Sequence, residues 1–432
     1  MITKRRITPL YLLILSFSLL IGLLAFSTQS VQAAAPANFN PDNYAVNAKA
    51  AVVLDAKSGQ VLYAKEASTA LPVASMSKMI SLYLVLKAID QGKIQWTDTI
   101  APDEAQAALS EGTELSNVPL TAGTAYTVKE LYEASWIYSA NVAVMLLGQK
   151  VAGSQANFVK LMQQQLTDWG IKDATIVNAS GLNNSLLGDL AVPGTGADAE
   201  NEMSAYDTAQ VAQHVLADYP EVLQTTKIAK QTFRANQAGS FEMTNWNMLL
   251  PGLQMYDASL AIDGLKTGTS DAAGECFTAT LKVNGRRLIA VVMNAQGAAD
   301  DKTKRFVATA GLLKATLASW QYDTVLTAQK ALPNGQKLKV INGRQKYVTL
   351  TAAKTQKFWQ LRSAASTQGQ LKLKKAYRQG ITAPVKANQV IGQYQLAKPD
   401  YIFVQAQPKT AVMTEKAVTK LPWYQILFNK IF

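Results

Sequence analysis

The chain has 432 residues and a formal net charge of +12, and its length exceeds one ordinary domain and predicts two. Its only histidine, His214, excludes a site with several histidine ligands and is the only residue that a Ser-His-Asp triad could recruit. Its only cysteine, Cys276, excludes an internal disulfide, so the fold must depend on its core.

The N-terminus has the three parts of a secretory signal. Basic residues at positions 4–6 precede an apolar run over residues 10–26, and a small-residue cleavage site of the A-x-A type follows at residues 31–33. The run approaches the ~20 residues that a membrane span needs, so an uncleaved anchor is the alternative. We predict that residues 1–33 are a signal peptide and that the mature chain acts outside the cytoplasm.

The first mature elements place a serine and a lysine side by side. Residues 51–55 and 60–65 alternate around Lys57-Ser58-Gly59, which predicts a β-hairpin. A helical pattern then runs from Ser75 to Ile89. Ser75 and Lys78 are three residues apart, so a helix would place both side chains on one face and bring the amine to the hydroxyl.

Two further polar strings follow in predicted helices and strands. Ser139-Ala140-Asn141 lies in the turn between predicted helices over residues 127–135 and 142–147, and Lys266-Thr267-Gly268 lies in a predicted strand over residues 263–269. Strands over residues 276–283 and 286–294 meet at Asn284-Gly285, a strong hairpin turn. Helices that interrupt an antiparallel sheet predict an α+β catalytic domain over residues 34–324.

The remainder of the chain differs in pattern and in charge. Short β-rich stretches over residues 337–341, 347–350, 370–374, 390–395 and 401–404 predict a small all-β sandwich over residues 325–410. Residues 34–324 have a net charge of −7, whereas residues 325–432 have a net charge of +16. The basic half is expected to face anionic wall polymer or lipid headgroups and not nucleic acid, with a solvated lysine-rich surface as the alternative.

The C-terminal segment over residues 411–432 ends in an apolar, aromatic stretch with flanking lysines. The stretch begins at Leu421 and has only twelve residues, too few to span a bilayer. As a helix it would lie in the membrane interface, with Trp423 and Tyr424 at headgroup level. We predict an amphipathic membrane anchor, and a tail that docks on the sandwich is the alternative.

The three polar strings together fit a serine acyl-transfer site that uses no histidine. Ser75 is the candidate nucleophile and Lys78 the base one helical turn away. Ser139 is a candidate proton-relaying hydroxyl, and Lys266 supplies a cation on a strand. Each string alone also fits an ordinary helix start, turn or strand, so the prediction rests on the occurrence of all three in this order.

In this order the strings resemble the penicillin-recognising serine enzymes, specifically the low-molecular-mass D-alanyl-D-alanine carboxypeptidases. The resemblance covers about residues 48–320. Its main blocks are Pro72-Val-Ala-Ser75-Met-Ser-Lys78, Asn178-Ala-Ser-Gly181-Leu182, Met203-Ser-Ala-Tyr-Asp207 and Ile262-Asp-Gly-Leu-Lys-Thr-Gly-Thr269. Residues 183–202 depart from the pattern, because this link is longer than usual in the family, which leaves the rim of the cleft undefined.

The resemblance implies a fold, a substrate and a set of residue roles. The fold is a serine β-lactamase/transpeptidase-like α+β domain followed by a small β-sandwich and an amphipathic helix. The substrates are peptidoglycan stem peptides ending in D-Ala-D-Ala, β-lactams are covalent inhibitors, no metal or cofactor is required, and the enzyme is held on the outer face of the cytoplasmic membrane. The implied site comprises catalytic Ser75, Lys78 and Ser139, substrate-binding Asn141, Lys266, Thr267, Gly268, Thr269 and Arg305, and an oxyanion hole of the Ser75 and Thr269 amides.

Three alternatives stay open at this point. A class A-like β-lactamase shares the motifs, but residues 176–186, where such enzymes carry a deacylating glutamate, contain none. A D,D-endopeptidase would use the same site on cross-linked peptides. A non-catalytic wall-binding or antibiotic-sensing protein would keep the fold as a scaffold.

Overall fold

The computed structural model describes residues 35–298, 300–363, 369–396, 402–404 and 408–431. The predicted signal peptide therefore lies outside the described residues. The helices are α1 (Lys78–Asp90), α2 (Glu104–Ser110), α3 (Val128–Ile137), α4 (Asn141–Ala152), α5 (Gln155–Asp168), α6 (Ala205–Asp218), α7 (Val222–Thr226), α8 (Lys304–Ser319) and α9 (Trp423–Ile431).

The strands of the first part are β1 (Ala48–Asp55), β2 (Gln60–Lys65), β3 (Leu71–Pro72), β4 (Thr99–Ile100), β5 (Tyr126–Thr127), β6 (Glu202–Met203), β7 (Lys230–Phe233), β8 (Phe241–Thr244), β9 (Ile262–Ser270), β10 (Gly274–Val283) and β11 (Arg286–Ala295). The strands of the second part are β12 (Trp320–Leu326), β13 (Lys337–Ile341), β14 (Tyr347–Ala352), β15 (Gln356–Leu361), β16 (Gly369–Leu373), β17 (Ile381–Thr382), β18 (Val390–Leu396), β19 (Ile402–Phe403) and β20 (Lys409–Thr414).

A six-stranded sheet in the order β19-β2-β1-β11-β10-β9 forms the centre of the first part. Its inner strands are buried on both faces, which explains their nearly continuous apolar sequence. Val52 and Leu54 of β1 belong to the larger core, which includes α1, α3, α4 and α6, whereas Val53 belongs to a second core that includes α8. The sheet with helices on both faces confirms the predicted α+β fold.

Both predicted hairpins of this sheet are confirmed. β1 and β2 pair around residues 56–59, and β10 pairs with β11 around Asn284 and Gly285. These two turn residues have φ angles of 50° and 73°, the conformation that favours an Asn-Gly pair in a two-residue hairpin turn.

The predicted long helix begins later than expected. Ser75 lies in a 3-10 turn (Ala74–Ser77), and the α-helix itself starts at Lys78. Ala74 has a φ of 45°, outside the helical region, and the hydroxyl of Ser77 donates a 2.6 Å hydrogen bond to the Ala74 carbonyl. This tight turn competes with the first turn of an α-helix, and therefore the serine precedes the helix although the helical pattern of the sequence begins at Ser75.

The second part is built from β-strands around its own hydrophobic core. A six-stranded sheet has the order β16-β18-β20-β14-β13-β17, and β12 pairs with β15. The predicted boundary between residues 324 and 325 falls inside β12, and the domain limits stay predictions.

One predicted sandwich strand was assigned to the wrong sheet. The strand expected over residues 401–404 is short (Ile402–Phe403) and pairs with β2 of the first sheet, where Ile402 lies opposite Val61. The amide of Val404 also donates to the Gly59 carbonyl at 2.9 Å. The added strand supplies hydrogen-bond partners for backbone groups at the edge of β2. The prediction was wrong because a hydrophobic pattern alone does not identify which sheet a strand joins.

A buried aspartate joins the two parts. Asp55 at the end of β1 forms an ion pair with Arg286, whose Nε lies 2.9 Å from Oδ2, and Trp359 of β15 donates its indole N–H to Oδ2 at 2.8 Å. The side chain of Gln60 bonds the backbone of Trp359 in both directions, at 2.8 and 3.0 Å. Burial raises the pKa of Asp55, but hydrogen bonds from Arg286, Ser58 and Trp359 outweigh burial and hold the pKa below its usual value.

We expect Trp359→Phe to cost about 1–3 kcal/mol more in unfolding free energy than Trp320→Phe, because it removes a hydrogen bond to a buried carboxylate. Both tryptophans are buried in the same core. Among the described residues, the indole N–H of Trp320 has no hydrogen-bond partner, so its replacement removes only packing volume. Urea unfolding of the two variants measures the difference, and equal costs would mean that Trp359 contributes packing alone.

Candidate active site

The serine and the lysine of the first string are in direct contact. The amine Nζ of Lys78 lies 2.7 Å from Ser75 Oγ, 2.7 Å from Asn141 Oδ1 and 2.8 Å from the carbonyl of Ser180. The lysine side chain is fully buried. Burial is the larger cause, and the positive charge of Lys266 the smaller one, that holds the pKa of Lys78 well below its usual value. The structure therefore favours a neutral amine at the serine hydroxyl.

The neutral amine fits its three partners. It has two N–H donors and one lone pair. The Asn141 side-chain oxygen and the Ser180 carbonyl can only accept, so they take the two N–H groups. The hydroxyl of Ser75 is the one partner that can donate, and it faces the lone pair of Nζ. The arrangement is that of a base positioned to take the serine proton.

The second string positions Asn141 at the start of α4. Its backbone N–H and its side-chain Nδ2 both donate to the carbonyl of Ser116, at 3.0 and 2.9 Å. These bonds fix the carboxamide so that Oδ1 faces Lys78. Ser139, two residues earlier, is buried and has a φ of 63°, a conformation that non-glycine residues adopt rarely. Such strain is often retained at functional positions.

A fourth segment, for which the sequence analysis gave no role, completes the lysine environment. The side chain of Asn178 accepts hydrogen bonds from the amides of Ser180 and Gly181, at 3.1 and 2.7 Å, and so closes the turn that presents the Ser180 carbonyl to Lys78. Gly181 has a φ of 80°, and a Cβ there would overlap the carbonyl of Ala74. The Asn-Ala-Ser-Gly block was visible in the sequence, but a backbone carbonyl leaves no signal in residue type.

The third string lies against the 3-10 turn that contains Ser75, which we call the serine turn. Lys266 and Thr267 are buried, and a Cβ at Gly268 would lie 2.5 Å from the carbonyl of Val73, so β9 approaches the serine turn as closely as a glycine allows. Burial and the charge of Arg305 lower the pKa of Lys266 to about 7. Because this amine lowers the pKa of Lys78, the two lysines are electrostatically coupled.

Arg305 contacts the end of the same strand. Its Nη1 donates to the Gly268 carbonyl, to Thr269 Oγ1 and to the Cys276 carbonyl, at 2.9, 2.8 and 3.2 Å. It also forms an ion pair with Glu275. The structure thus brings Ser75, Lys78 and Asn141 into direct contact, whereas the hydrogen bonds of Arg305 go to β9, β10 and Glu275.

The long segment over residues 183–202 lies beside this strand. Glu200 is buried, and its two carboxylate oxygens accept from Ser270 Oγ at 2.7 Å and from Asn183 Nδ2 at 3.2 Å. Two short 3-10 turns, at Asn184–Leu186 and Gly188–Leu190, give the segment regular structure. Within the described part of the chain, no group of three histidine, cysteine, aspartate or glutamate side chains could hold a metal ion.

Comparisons with known proteins agree on one family. The sequence profile of D-alanyl-D-alanine carboxypeptidases matches residues 33–297. The D-alanyl-D-alanine carboxypeptidase DacF of Bacillus subtilis is 28% identical over 90% of this chain and 91% of its own length. The crystal structure of a peptidoglycan synthesis regulatory factor (PBP3) from Streptococcus pneumoniae is 32% identical, covers 87% of this chain and all of its own, and has a TM-score of 0.69. Penicillin-binding protein D2 from Listeria monocytogenes, solved in its ampicillin-bound form, is 30% identical with a TM-score of 0.51, over 64% of this chain and 99% of its own.

We expect Gly181→Ala to destabilise the fold by about 1–3 kcal/mol more than Gly188→Ala. Both glycines have positive φ, so both alanines introduce backbone strain of about 1–2 kcal/mol. A Cβ at Gly188 meets nothing within 4 Å, whereas a Cβ at Gly181 overlaps the Ala74 carbonyl and adds an overpacking cost. Urea unfolding compares the two, and equal values would show that residue 74 moves freely away.

Proposed function

Because this chain belongs to the D-alanyl-D-alanine carboxypeptidase family, we propose that it removes the terminal D-alanine from peptidoglycan stem peptides through an acyl-enzyme on Ser75. The observation that carries the proposal is the 2.7 Å contact between Ser75 Oγ and the buried amine of Lys78. A serine hydroxyl is a weak nucleophile until an adjacent base takes its proton. Lys78 supplies that base without a histidine.

In the proposed acylation, Ser75 Oγ bonds to the carbonyl carbon of the penultimate D-alanine while its proton passes to Lys78 Nζ. The bond between this carbon and the nitrogen of the terminal D-alanine then breaks. The proton passes from Lys78 through the hydroxyl of Ser139 to that leaving nitrogen. Water hydrolyses the resulting ester, which restores the Ser75 hydroxyl and releases the shortened peptide.

The remaining residues hold the substrate. We assign the oxyanion hole to the backbone amides of Ser75 and Thr269, which lie on the serine turn and on β9. Asn141 binds the substrate amide, and Lys266 with the hydroxyls of Thr267 and Thr269 binds the terminal carboxylate. The missing side chain of Gly268 allows β9 to lie close to the serine turn.

Arg305 adds positive charge at the carboxylate end of this cleft. We propose that it also orients the Thr269 hydroxyl, to which its Nη1 donates at 2.8 Å. The hydrogen bonds of Nη1 go to three acceptors of the protein itself, and not to an open position where a substrate would bind. Its contribution to carboxylate binding is therefore electrostatic and through Thr269.

We propose that the same site also reacts with β-lactams. A strained lactam carbonyl offers Ser75 the same kind of electrophile as the peptide. The ester that forms on Ser75 persists if no group activates a water molecule to hydrolyse it. In a class A-like β-lactamase, a glutamate has that task. Glu200 is not positioned for such a role, because in the described part of the chain its carboxylate is bonded to Ser270 and Asn183 and forms no hydrogen bond with Ser75 or Lys78.

We propose that the enzyme is exported by its signal peptide and held at the outer face of the cytoplasmic membrane by α9. The helix exposes Trp423, Tyr424, Leu427, Phe428 and Ile431. Within the described residues, no helix combines the length and the hydropathy needed to cross a bilayer. The exposed aromatic side chains support a helix that lies in the interface.

We expect Ser75→Ala to abolish covalent labelling by a fluorescent penicillin and to lower D-alanine release from a D-Ala-D-Ala peptide by about 10⁴-fold or more, because the nucleophile is lost. Retained labelling would place the nucleophile at another residue. Ser81→Ala is a matched control, because this buried serine lies six residues later, on α1, and donates its hydroxyl to the Ala179 carbonyl instead. It is expected to retain labelling.

The native enzyme separates the alternative functions in the same assays. Release of free D-alanine excludes a non-catalytic wall-binding or sensing protein. Slow loss of the penicillin label supports a carboxypeptidase, whereas rapid turnover would indicate a β-lactamase. Cleavage of cross-linked dimeric peptides at a higher rate than of linear ones would indicate an endopeptidase.

We expect the rate of acylation to fall as the pH drops through the pKa of Lys78, because only the neutral amine can accept the serine proton. The positive charge of Lys266 helps to lower that pKa. Lys266→Gln should therefore move the acid limb of the pH–rate profile to higher pH than Lys266→Arg, which keeps the charge. Rates of penicillin labelling across pH measure the acid limb of each variant. Identical acid limbs in the two variants would show that the charge at position 266 does not affect the pKa of Lys78.

A further inference from the structure

The segment that leads to the C-terminal helix is fixed to the β-domain. Val418 is buried and forms two backbone hydrogen bonds with Val385, at 2.9 and 3.0 Å. Lys420 forms a β-bridge with Gly343, and the amide of Leu421 donates to the carbonyl of Asn342 at 2.9 Å. The start of α9 is therefore held against the turn between β13 and β14.

The two segments that meet at this attachment point carry four basic residues. Arg344 and Lys346 lie on the β13–β14 turn, Lys416 and Lys420 lie on the segment attached to it, and all four are exposed. None of the four forms an ion pair with a carboxylate in the described part of the chain. Glu415, which directly precedes Lys416, is the acidic residue nearest to them in the sequence. We call these four residues the basic collar.

Exposed apolar residues lie next to the collar in the chain. Tyr347 follows Lys346 directly and is 56% exposed, and Ile341 precedes the same turn at 36% exposure. On the other side, α9 exposes the apolar face described above, beginning with Trp423 at 76%. Positive charge and exposed aromatic groups at one end of the domain are the combination that suits a membrane interface.

We propose that the basic collar binds anionic lipid headgroups beside α9 and gives the enzyme a preference for acidic membranes. This inference rests on the proposed membrane contact of the helix. A phosphate polymer in water would use the charges but would gain nothing from exposed Tyr347 and Ile341, so the apolar surface favours lipid. The −7 charge of residues 34–324 is repelled by the same surface, which would turn the catalytic cleft away from the headgroups.

The test is the partitioning of the mature chain, residues 34–432, onto vesicles of phosphatidylcholine alone and of phosphatidylcholine with about one third phosphatidylglycerol. The native chain should bind the anionic vesicles at least about ten-fold more tightly, and the preference should fall with added salt. Arg344→Glu with Lys346→Glu should reduce that preference at least about ten-fold, because each basic group near an anionic surface contributes about five-fold.

Lys372→Glu with Lys374→Glu is the matched control. It changes the net charge equally, but these exposed lysines are on and just after β16, which three strands separate from β13 in the sheet. It should keep most of the preference, and D-alanine release from a soluble peptide should be unchanged in both double variants. An equal loss in both would show that overall charge and not the collar is responsible, and would overturn the proposal.

Further outcomes separate this inference from the helix anchor. Leu427→Asp with Phe428→Asp should lower binding to both kinds of vesicle. Equal native binding to both vesicles would overturn the collar and leave the anchor intact. If the native chain bound neither, the anchor and the collar would fail together. If the collar variant lost only retention on polyphosphate, the partner would be an anionic polymer and the lipid proposal would be wrong.

Discussion

The whole site depends on the burial of one amine, that of Lys78. A lysine that is removed from water and has no carboxylate partner is stable only as the neutral base, so the fold that buries it also prepares it for proton transfer. The three polar partners of Nζ come from three separate segments, which are the serine turn, the start of α4 and the turn over residues 178–181. No one segment forms the site, and the larger core behind α1 and α4 brings them together.

The hydrogen-bond network extends from this amine into the long segment at the rim. Asn178, which orders the turn of Ser180, also donates to Asn184 Oδ1 at 3.1 Å. Asn184 in turn donates to Thr195 Oγ1 and to the Gly196 carbonyl, at 2.8 and 2.9 Å. The segment that departs from the family pattern is therefore bonded both to the environment of Lys78 and, through Glu200, to the end of β9.

The sequence predicted well the features that depend on neighbouring residues. The hairpin at Asn284-Gly285 is confirmed, and the helix predicted over residues 127–135 appears as Val128–Ile137, with Thr127 as its N-cap in a capping box with Glu130. Features that depend on distant backbone groups were missed. The 3-10 turn at Ser75 and the role of the Ser180 carbonyl arise from contacts between segments that residue type does not record.

The pairing of β19 with β2 is also a contact between segments that are distant in sequence. It affects how the two parts of the structure are joined. Ile402 and Phe403 belong in sequence to the β-domain but extend the catalytic sheet at its edge, opposite Val61 and Gln60. On the same side, Trp359 contacts the buried Asp55. Two independent attachments between the same parts restrict rotation about either one. Because the segment before α9 is bonded to the β-domain at Gly343 and Val385, the serine site is linked to α9 through paired backbone. A membrane contact at α9 would therefore fix the height and direction of the cleft above the surface, which a tail that starts in an unattached linker could not do.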